Sequence, residues 1–302
     1  MAIRDINDQA MDLRRIVDSS RRSPAIISSL KSISVLSGKG GVGKSNLSVN
    51  LALAMGARGK RIIILDADMG MANVDLLCGL SPKVNLAHIL RGESRLEDTL
   101  VSLGGNVSVL PGGPGIRELA DLDEELLSAF IDSLSVLEGM ADVLLIDTGA
   151  GISRNIISFG SASDEVLLVT TPEPTSIRDA YGVLKALALA TAGKVDVTVA
   201  VNMTTSREEG KDVADRISAA ASQFLGLMPR YGGSILRDES VSLAVRQRKP
   251  LLRAFPDSEA SACVKAMADR LLGLEEDQPP LSQGRGIKSF FLRLARSFGT
   301  GR

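Results

Sequence analysis

The sequence predicts an α/β fold with a doubly wound, mostly parallel sheet and helices on both faces. Six short runs rich in Val, Ile and Leu occur between residues 32 and 202. Their apolar residues fall on both faces of a strand, which is typical of parallel strands covered by helices. Longer amphipathic segments separate the runs, and such alternation produces right-handed crossovers. The runs are ISVLS, RIIILD, VSVLPG, DVLLID, EVLLVT and DVTVAVN.

Composition divides the chain into four parts. Residues 1–30 are polar, with one stretch of helical spacing, and predict an N-terminal arm with a short helix. Residues 31–274 contain the strands and helices of one predicted domain. Residues 275–286 include two prolines and two glycines and predict a linker, whereas residues 287–302 predict an amphipathic helix. The helices predicted within the domain include 46–57, 119–137 and 177–192.

Bulk composition excludes several classes of protein. The 302 residues are 44% hydrophobic and 24% charged, with a formal net charge of -1, which argues against a general nucleic-acid coat. Cys78 and Cys263 lie far apart and outside any C-x-x-C pattern, so we expect buried free thiols and no disulfide, zinc or iron–sulfur site. The only histidine, His88, is expected to be structural. Because no signal peptide or apolar run of about 20 residues is present, we expect a cytoplasmic protein.

A phosphate-binding loop follows the first predicted strand. Residues 38–45 read GKGGVGKS and satisfy G-x-x-x-x-G-K-[ST] between a strand and a helix. Glycines let backbone N–H groups turn toward a β-phosphate, and the helix start adds positive potential. We expect Lys44 to bridge the β- and γ-phosphates and the Ser45 hydroxyl to bind Mg²⁺. The predicted nucleotide contacts in the loop are Gly38, Lys39, Gly40, Gly41, Val42, Gly43, Lys44, Ser45 and Asn46.

A second lysine, Lys39, follows the first glycine of this loop. A side chain at that position projects from the outer lip of the loop and does not follow Lys44 inward. It could be a solvated surface lysine. It could also reach a phosphate bound by a second copy of the chain, as an arginine finger does. The residues alone leave both interpretations open.

Carboxylates end two of the predicted strands. Asp66 and Asp68 follow IIIL at spacing i, i+2, so they share a face at the strand end where a ligand crevice forms. Such a pair suits Mg²⁺-bound water and an attacking water, although a helix-capping pair is the alternative. Asp147 ends DVLLID like a Walker B aspartate, which acts on Mg²⁺ through water. Gly149 and Gly151 would let the following loop move as a switch.

The stretch KGGVGKS, with lysine at position 39, resembles the deviant P-loop of the MinD/ParA class of dimerising ATPases. The resemblance covers roughly residues 32–272 and implies the P-loop NTPase (SIMIBI) fold, with ATP and Mg²⁺ as cofactors. It also implies an ATP-bound homodimer in which Lys39 acts on the partner's nucleotide. Lys44 and Asp68 would be catalytic with it, Asp68 by orienting the attacking water. The implied metal-site residues are Ser45, Asp66 and Asp147.

Weaker matches concern the base and the dimer surface. By the same resemblance, Asn202 and Asp238 would contact adenine, and Glu173 would contact the partner's ribose. Surface or capping roles for Glu173 and Asp238 remain open as alternatives. The sequence departs from the family pattern at Leu236, where proline is usual, and at Arg248, where glycine is common.

The last segment carries three of the seven phenylalanines. On a helical wheel its large apolar residues form one arc, with Arg293 and Arg296 on the opposite side. A basic amphipathic helix predicts an anchor to anionic lipid on the inner membrane surface, and two anchors on one dimer would bind with avidity. The alternative is a helix docked on the domain, and the two could be successive states of one switch. The arc consists of Ile287, Phe290, Phe291, Leu294 and Phe298.

The stretches EPTSIRDAY and DQAMDLR resemble the flagellar-number regulator ATPases, the FlhG/FleN group, more than septum-site MinD. That resemblance implies a polar, membrane-associated ATPase that regulates flagellar assembly in space and number. Its implied partners are the signal-recognition-like (SRP-like) GTPase that places flagella, C-ring components and the flagellar master transcription activator. DNA binding is not expected. The alternatives are a ParA-like partition ATPase, a septum-positioning ATPase, and a nucleotide-sensing adaptor with negligible turnover.

Overall fold

The computed structural model of the protein describes residues 30–68, 73–113, 115, 124–134, 136–274 and 284–299. The predicted arm helix and most of the predicted linker lie outside these residues. Eight strands within them form one sheet. They are β1 (Lys31–Leu36), β2 (Ile62–Ala67), β3 (Val101–Gly104), β4 (Val107–Pro111), β5 (Val143–Thr148), β6 (Glu165–Thr170), β7 (Val197–Thr204) and β8 (Arg230–Leu236).

The sheet is parallel except at one edge, where β3 pairs antiparallel with β4. Its strand order is β3-β4-β2-β5-β1-β6-β7-β8. The chain leaves β1 toward one edge and later fills the other side, so the carboxyl end of β1 lies at a topological switch point. Open α/β sheets bind ligands at such points. The predicted fold class is confirmed.

Thirteen helices are described. Several begin at recognisable signals: α8 has Pro174 in its first turn, and the Ser206 hydroxyl accepts from the Glu209 N–H at 3.1 Å to cap α9. The helices are α1 (Lys44–Ala57), α2 (Asn73–Cys78), α3 (Leu86–Leu90), α4 (Leu96–Thr99), α5 (Glu124–Leu134), α6 (Leu137–Met140), α7 (Arg154–Ala162), α8 (Pro174–Thr191), α9 (Arg207–Leu225), α10 (Glu239–Arg246), α11 (Leu251–Ala254), α12 (Glu259–Leu271) and α13 (Ile287–Gly299).

Alternate residues of the central strands face separate cores. Ile62 and Ile64 of β2 belong to a loop-side core with α1 and α12. Ile63 and Leu65 belong to a second core, which includes the C-terminal helix α13. We call α13 the tail and this core the tail-side core. Strands β1, β2, β5 and β6 are buried at every position, as the apolar runs predict. The phosphate-binding loop and the C-terminal helix are therefore attached to opposite faces of one sheet.

The helix predicted at 46–57 begins two residues earlier in the structure, and that predicted at 177–192 is α8. Only part of 119–137 is described, and there the chain forms α5 and then the separate turn α6. Two strands were not among the predicted runs. β3 is half-exposed and short, and β8 contains two glycines that indicate a turn. Gly233, with φ of 124°, lies at an irregularity in the pairing with β7, which only glycine accommodates readily.

The C-terminal helix α13 is docked on the domain. Phe291 packs edge-to-face on Phe130 of α5 with ring centroids 5.5 Å apart, and Phe290 stacks on Phe159 of α7 at 6.4 Å. The predicted apolar arc thus covers the domain, as the second interpretation expected. We call the surface between α5 and α7 that includes Phe130 and Phe159 the tail groove. The fully buried side chains of α13 are Ile287, Phe290, Phe291 and Leu294.

A buried ionic cluster holds the amino end of β1. Lys31 Nζ lies 2.6 Å from Glu165 Oε2, and both side chains are about 95% buried. The other oxygen of Glu165 accepts from the Thr198 hydroxyl at 2.6 Å and from Arg230 at 3.2 Å. A buried carboxylate needs such partners, because losing one leaves a charge without compensation. The cluster fixes the strand that carries the phosphate-binding loop at its other end.

The Lys31→Met variant tests this cluster. It should lower the free energy of unfolding by about 3 kcal/mol, because Glu165 would keep its charge in a buried site without its closest cation. Lys211→Met is the matched control, since Lys211 forms an exposed i,i+4 pair with Asp215 and its loss should lower the free energy of unfolding much less. Urea denaturation of both variants measures the difference. Equal losses would show that the Lys31–Glu165 pair contributes no more than a surface pair.

Candidate functional site

The phosphate-binding loop joins β1 to α1 and has the backbone shape its glycines predict. Gly43 has φ of 86°, and a Cβ there would overlap the amide of Asn202. A Cβ on Gly38 would overlap the carbonyl of Asp179. Among the residues that the structure describes, no side chain caps the start of α1, and its first turn contains no acid. The first N–H groups of this helix therefore suit an anion, as a phosphate cradle requires.

Lys44 lies inside the loop beside the carboxylate of Asp147. Its Nζ donates to the Thr148 carbonyl and lies 3.6 Å from Asp147 Oδ1. The Ser48 hydroxyl donates to the same oxygen at 2.9 Å. Burial raises the pKa of Asp147, while Lys44 and the hydroxyls of Ser45 and Ser48 oppose that rise. Among the described residues, Asp147 Oδ2 has no hydrogen-bond partner, so this buried oxygen is suited to a cation or its bound water.

Asp66 faces Asp147 across the pair of strands β2 and β5, where the two are register partners. Burial, followed by the charge of Asp147, raises the pKa of Asp66 to about 7. The backbone N–H groups of Asp68 and Val74 donate to it, both at 3.3 Å. A divalent cation between the two carboxylates would remove their repulsion. In the part of the chain described, no group of three His, Cys, Asp or Glu side chains could hold a metal ion.

Asp68 follows Asp66 by two residues, just after the end of β2, and is half-buried. Its Oδ2 accepts from the Asn73 side chain at 3.0 Å, and its Oδ1 lies beside Gly149. A cavity of about 200 Å³ adjoins Asp68, Gly149 and Phe159. The position next to the Asp147 strand end suits a water-orienting carboxylate. That role stays a prediction.

A second cavity, of about 260 Å³, lies beside the loop where the base was predicted. Asn202 and Asp238 both line it, together with Gly43 and Leu236. The Asn202 amide donates to the Val42 carbonyl at 2.8 Å. Asp238 accepts from the N–H of Ser240, which caps α10, and from the N–H of Ala260 in α12. The structure brings the two residues together, and their contact with adenine remains a prediction.

Lys39 lies on the outer lip of the loop, apart from Lys44. Its Nζ is 2.6 Å from Glu173 Oε2 and 3.2 Å from the Thr175 hydroxyl. Both ionic side chains are substantially exposed, at 39% and 62%. The hydrogen bond from Lys39, with its charge, lowers the pKa of Glu173. The Lys39 ammonium is therefore accessible from outside the molecule.

Two residues of the site were not singled out from the sequence. Ser48 lies one turn after Lys44, and that i,i+4 spacing could have indicated its bond to Asp147. Phe159 lines the Asp68 cavity and also contacts α13, which no local pattern indicates because the contact joins distant segments.

The raised pKa of Asp66 predicts a pH-dependent stability. Without a cation, Asp66 stays protonated in the folded state but ionises in the unfolded state, so the free energy of unfolding falls as pH rises from about 4 to about 7 and is level above that. Metal-free Asp66→Asn should therefore melt higher than the wild type at pH 8, by about 4 °C or more, and by a clearly smaller margin at pH 5.5, where only part of the penalty has developed. Calorimetry at both pH values measures the gap. An equal Asp66→Asn gap at both pH values would contradict the assignment.

Comparisons with known proteins agree with this geometry. Residues 29–272 match the ParA family, described as NUBPL iron-transfer P-loop NTPase. The chain is 40% identical over 270 residues to "Antiactivator FleN" of Pseudomonas aeruginosa, covering 89% of this chain and 95% of that protein. It is 34% identical to "Flagellum site-determining protein YlxH" of Helicobacter pylori over 271 residues, 89% of this chain and 91% of the relative.

Solved structures show the same fold. The cell division ATPase MinD of Pyrococcus furiosus superposes with a TM-score of 0.64 at 26% identity, covering 81% of this chain and 99% of that one. MinD of Pyrococcus horikoshii, solved with Mg-ADP, gives 0.63 at 26% identity, with 82% and 99% covered. The match over residues 29–272, the loop geometry and these relatives together show that the chain belongs to the ParA/MinD family of P-loop NTPases.

Proposed function

We propose that the protein is a Mg²⁺-dependent ATPase that dimerises when it binds ATP, associates with the membrane and regulates flagellar assembly in space and number. This proposal rests chiefly on the separation of the two loop lysines: Lys44 lies inside the loop, and Lys39 is exposed on its outer lip. The similarity to FleN and YlxH supports the flagellar role. The structure of MinD with Mg-ADP supports the choice of nucleotide and cation.

Separate side chains of the site bind the phosphates, bind Mg²⁺ and orient the attacking water. The loop amides and Lys44 hold the phosphates, while Ser45, Asp66 and Asp147 hold Mg²⁺, directly or through water. Bound Mg²⁺ would neutralise charge on the β- and γ-phosphate oxygens. Asp68 orients the attacking water in the cavity beside Gly149.

Lys39 completes the site of a second copy in this proposal. In the monomer its ammonium is neutralised by Glu173 at the surface. A γ-phosphate presented by a facing subunit carries more charge than one carboxylate, so it would compete well for Lys39. Glu173 would then be released toward the partner's nucleotide. Hydrolysis would thus depend on dimerisation.

Membrane association would use the same arc of α13 that is buried here, so docking and lipid binding exclude each other. Helix α7 contacts both sites, because Phe159 lines the Asp68 cavity and packs against Phe290 and Phe298. The Arg154 guanidinium donates to the carbonyls of Ser297 and Phe298 at 3.1 and 2.8 Å. A nucleotide-driven shift at the start of α7 would therefore weaken tail docking, so that the two arrangements are successive states of one switch.

Location and partners follow from this proposal. No helix in the described part of the chain is long and apolar enough to cross a bilayer. We place the protein in the cytoplasm, peripherally on the cytoplasmic face of the membrane and at a cell pole. Its partners would be the flagellar-placement GTPase, C-ring components and the transcription activator. A septum-positioning role is the second candidate, supported by the MinD structures.

The Lys39→Ala variant tests the trans role of this lysine. It should bind ATP as tightly as the wild type, because Lys39 lies outside the Lys44 pocket, yet lose about 10²–10³-fold in single-turnover hydrolysis. Lys194→Ala, at an exposed lysine between α8 and β7, is the control and should change neither quantity. Unchanged hydrolysis in Lys39→Ala would reduce Lys39 to a surface lysine. Negligible hydrolysis by the wild type itself would favour the adaptor interpretation.

Liposome sedimentation tests the membrane role. ATP-bound Asp68→Ala, which should hold the dimer without hydrolysis, is expected to pellet with anionic vesicles. Deleting residues 287–302 from that variant should abolish pelleting, and the same deletion in the wild type should leave turnover largely intact. Deletion of residues 300–302 alone is the control and should keep pelleting. Pelleting that persists without residues 287–302 would show that lipid binds elsewhere.

A further inference from the structure

The cavity of about 260 Å³ beside the phosphate-binding loop, which we call the base cavity, combines apolar walls with a few polar groups. Leu47, Leu236 and Val264 line the walls. Apolar walls suit every base, because each base has two apolar faces and differs from the others in the hydrogen-bonding atoms at its edge. The polar side chains of the base cavity therefore determine which base the protein prefers.

Two of these side chains, Asn202 and Asp238, already have partners within the protein. The Asn202 amide donates to the Val42 carbonyl at 2.8 Å, and its oxygen accepts from the backbone N–H of the next residue at 2.9 Å. The two oxygens of Asp238 accept from the N–H groups of Ser240 and Ala260, at 2.8 and 3.1 Å. Each carboxylate oxygen has a second lone pair, so Asp238 still offers a base acceptors, but no donor.

The donor of the base cavity is Arg237, an exposed side chain that also lines it. Two carboxylates lie near its charge, and both are held by other groups: Glu173 is 2.6 Å from Lys39 Nζ, and Glu209 accepts from the Thr205 N–H at 2.6 Å. Those hydrogen bonds lower the pKa of both carboxylates, and the charge of Arg237 adds to the effect. The guanidinium therefore has donors left for a ligand.

A guanidinium next to a carboxylate is complementary to the edge of guanine. Guanine presents O6 and N7 as neighbouring acceptors, and one arginine binds both in bidentate fashion. The N1–H and N2 amino donors follow O6 on the same edge and suit a carboxylate. Adenine carries a donor, its N6 amino group, in place of O6, so the guanidinium can bind only N7 there. Arg237 thus adds affinity for guanine beyond what Asn202 and Asp238 offer.

We propose that the base cavity accepts guanine as well as adenine, and that Arg237 is the residue that determines this specificity. The inference rests on the proposed function in one respect: the phosphates of the nucleotide must occupy the loop. The loop itself treats both nucleotides alike, because it binds only phosphate. Guanine nucleotides would therefore compete with adenine nucleotides for the same site.

Calorimetric titration of the full-length protein with ADP, GDP and CDP, each with Mg²⁺, tests the proposal. In the wild type, GDP should bind within about tenfold of ADP and at least about tenfold more tightly than CDP, which shares the diphosphate but has no purine edge. Arg237→Gln should raise the Kd of GDP about tenfold more than that of ADP, because only guanine loses a bidentate contact, and it should leave the Kd of CDP nearly unchanged.

Two further variants separate recognition of the base from charge. Arg246→Gln is the matched control, because Arg246 on α10 is also exposed but does not line the base cavity, and it should change none of the three constants. Arg237→Lys keeps the charge without the planar fork and should lose most of the affinity for GDP that Arg237→Gln loses.

The contrary outcomes are distinct. GDP binding no more tightly than CDP in the wild type would overturn the proposal, and so would an equal loss for all three nucleotides in Arg237→Gln, because charge alone would then explain the effect. Binding of ADP without GDP would refute this inference and leave the proposed function intact. Failure of ADP itself to bind would refute the proposed function, and this inference with it.

Discussion

The structure depends on two carboxylates held side by side in the centre of the sheet. Asp66 and Asp147 end neighbouring strands as register partners, and both are almost completely removed from water. Their repulsion favours binding of a cation between them. Lys44 supplies one positive charge on the side of the loop, and the Asp147 oxygen that has no hydrogen-bond partner among the described residues leaves room for another. The folded chain thus holds two buried carboxylates whose mutual repulsion Mg²⁺, bound together with a nucleotide, would relieve.

Much of this arrangement could be predicted from short stretches of sequence, because its parts are local. The loop motif fixes Lys44 and Ser45 through backbone geometry, and apolar runs that end in aspartate place Asp66 and Asp147 at one edge. What could not be predicted arises between distant segments. Lys39 pairs with Glu173, 134 residues away, and β8 joins the sheet despite its glycine pair.

The C-terminal helix shows a different limit of sequence analysis. An arc of Phe, Ile and Leu with basic residues opposite satisfies a lipid surface and a protein groove equally, because both remove the same side chains from water. Only the surface that the helix contacts distinguishes the lipid-binding interpretation from the docked one. Here that surface contains Phe130 and Phe159, whose rings match those of the helix. Helix α7 connects this surface to the Asp68 cavity. The same helix therefore contacts both the predicted site of hydrolysis and the docked tail.

The alternation of two cores across the sheet has an evolutionary consequence. Residues such as Ile62 and Ile64 pack on the side of the loop helix, whereas Ile63 and Leu65 pack on the side of α13. Substitutions on the tail side, away from Phe159, can therefore accumulate without repacking α1, the helix that follows the phosphate-binding loop. Related proteins could therefore differ in the segment that packs on the tail side, and in their location in the cell, while they keep the same nucleotide-binding site.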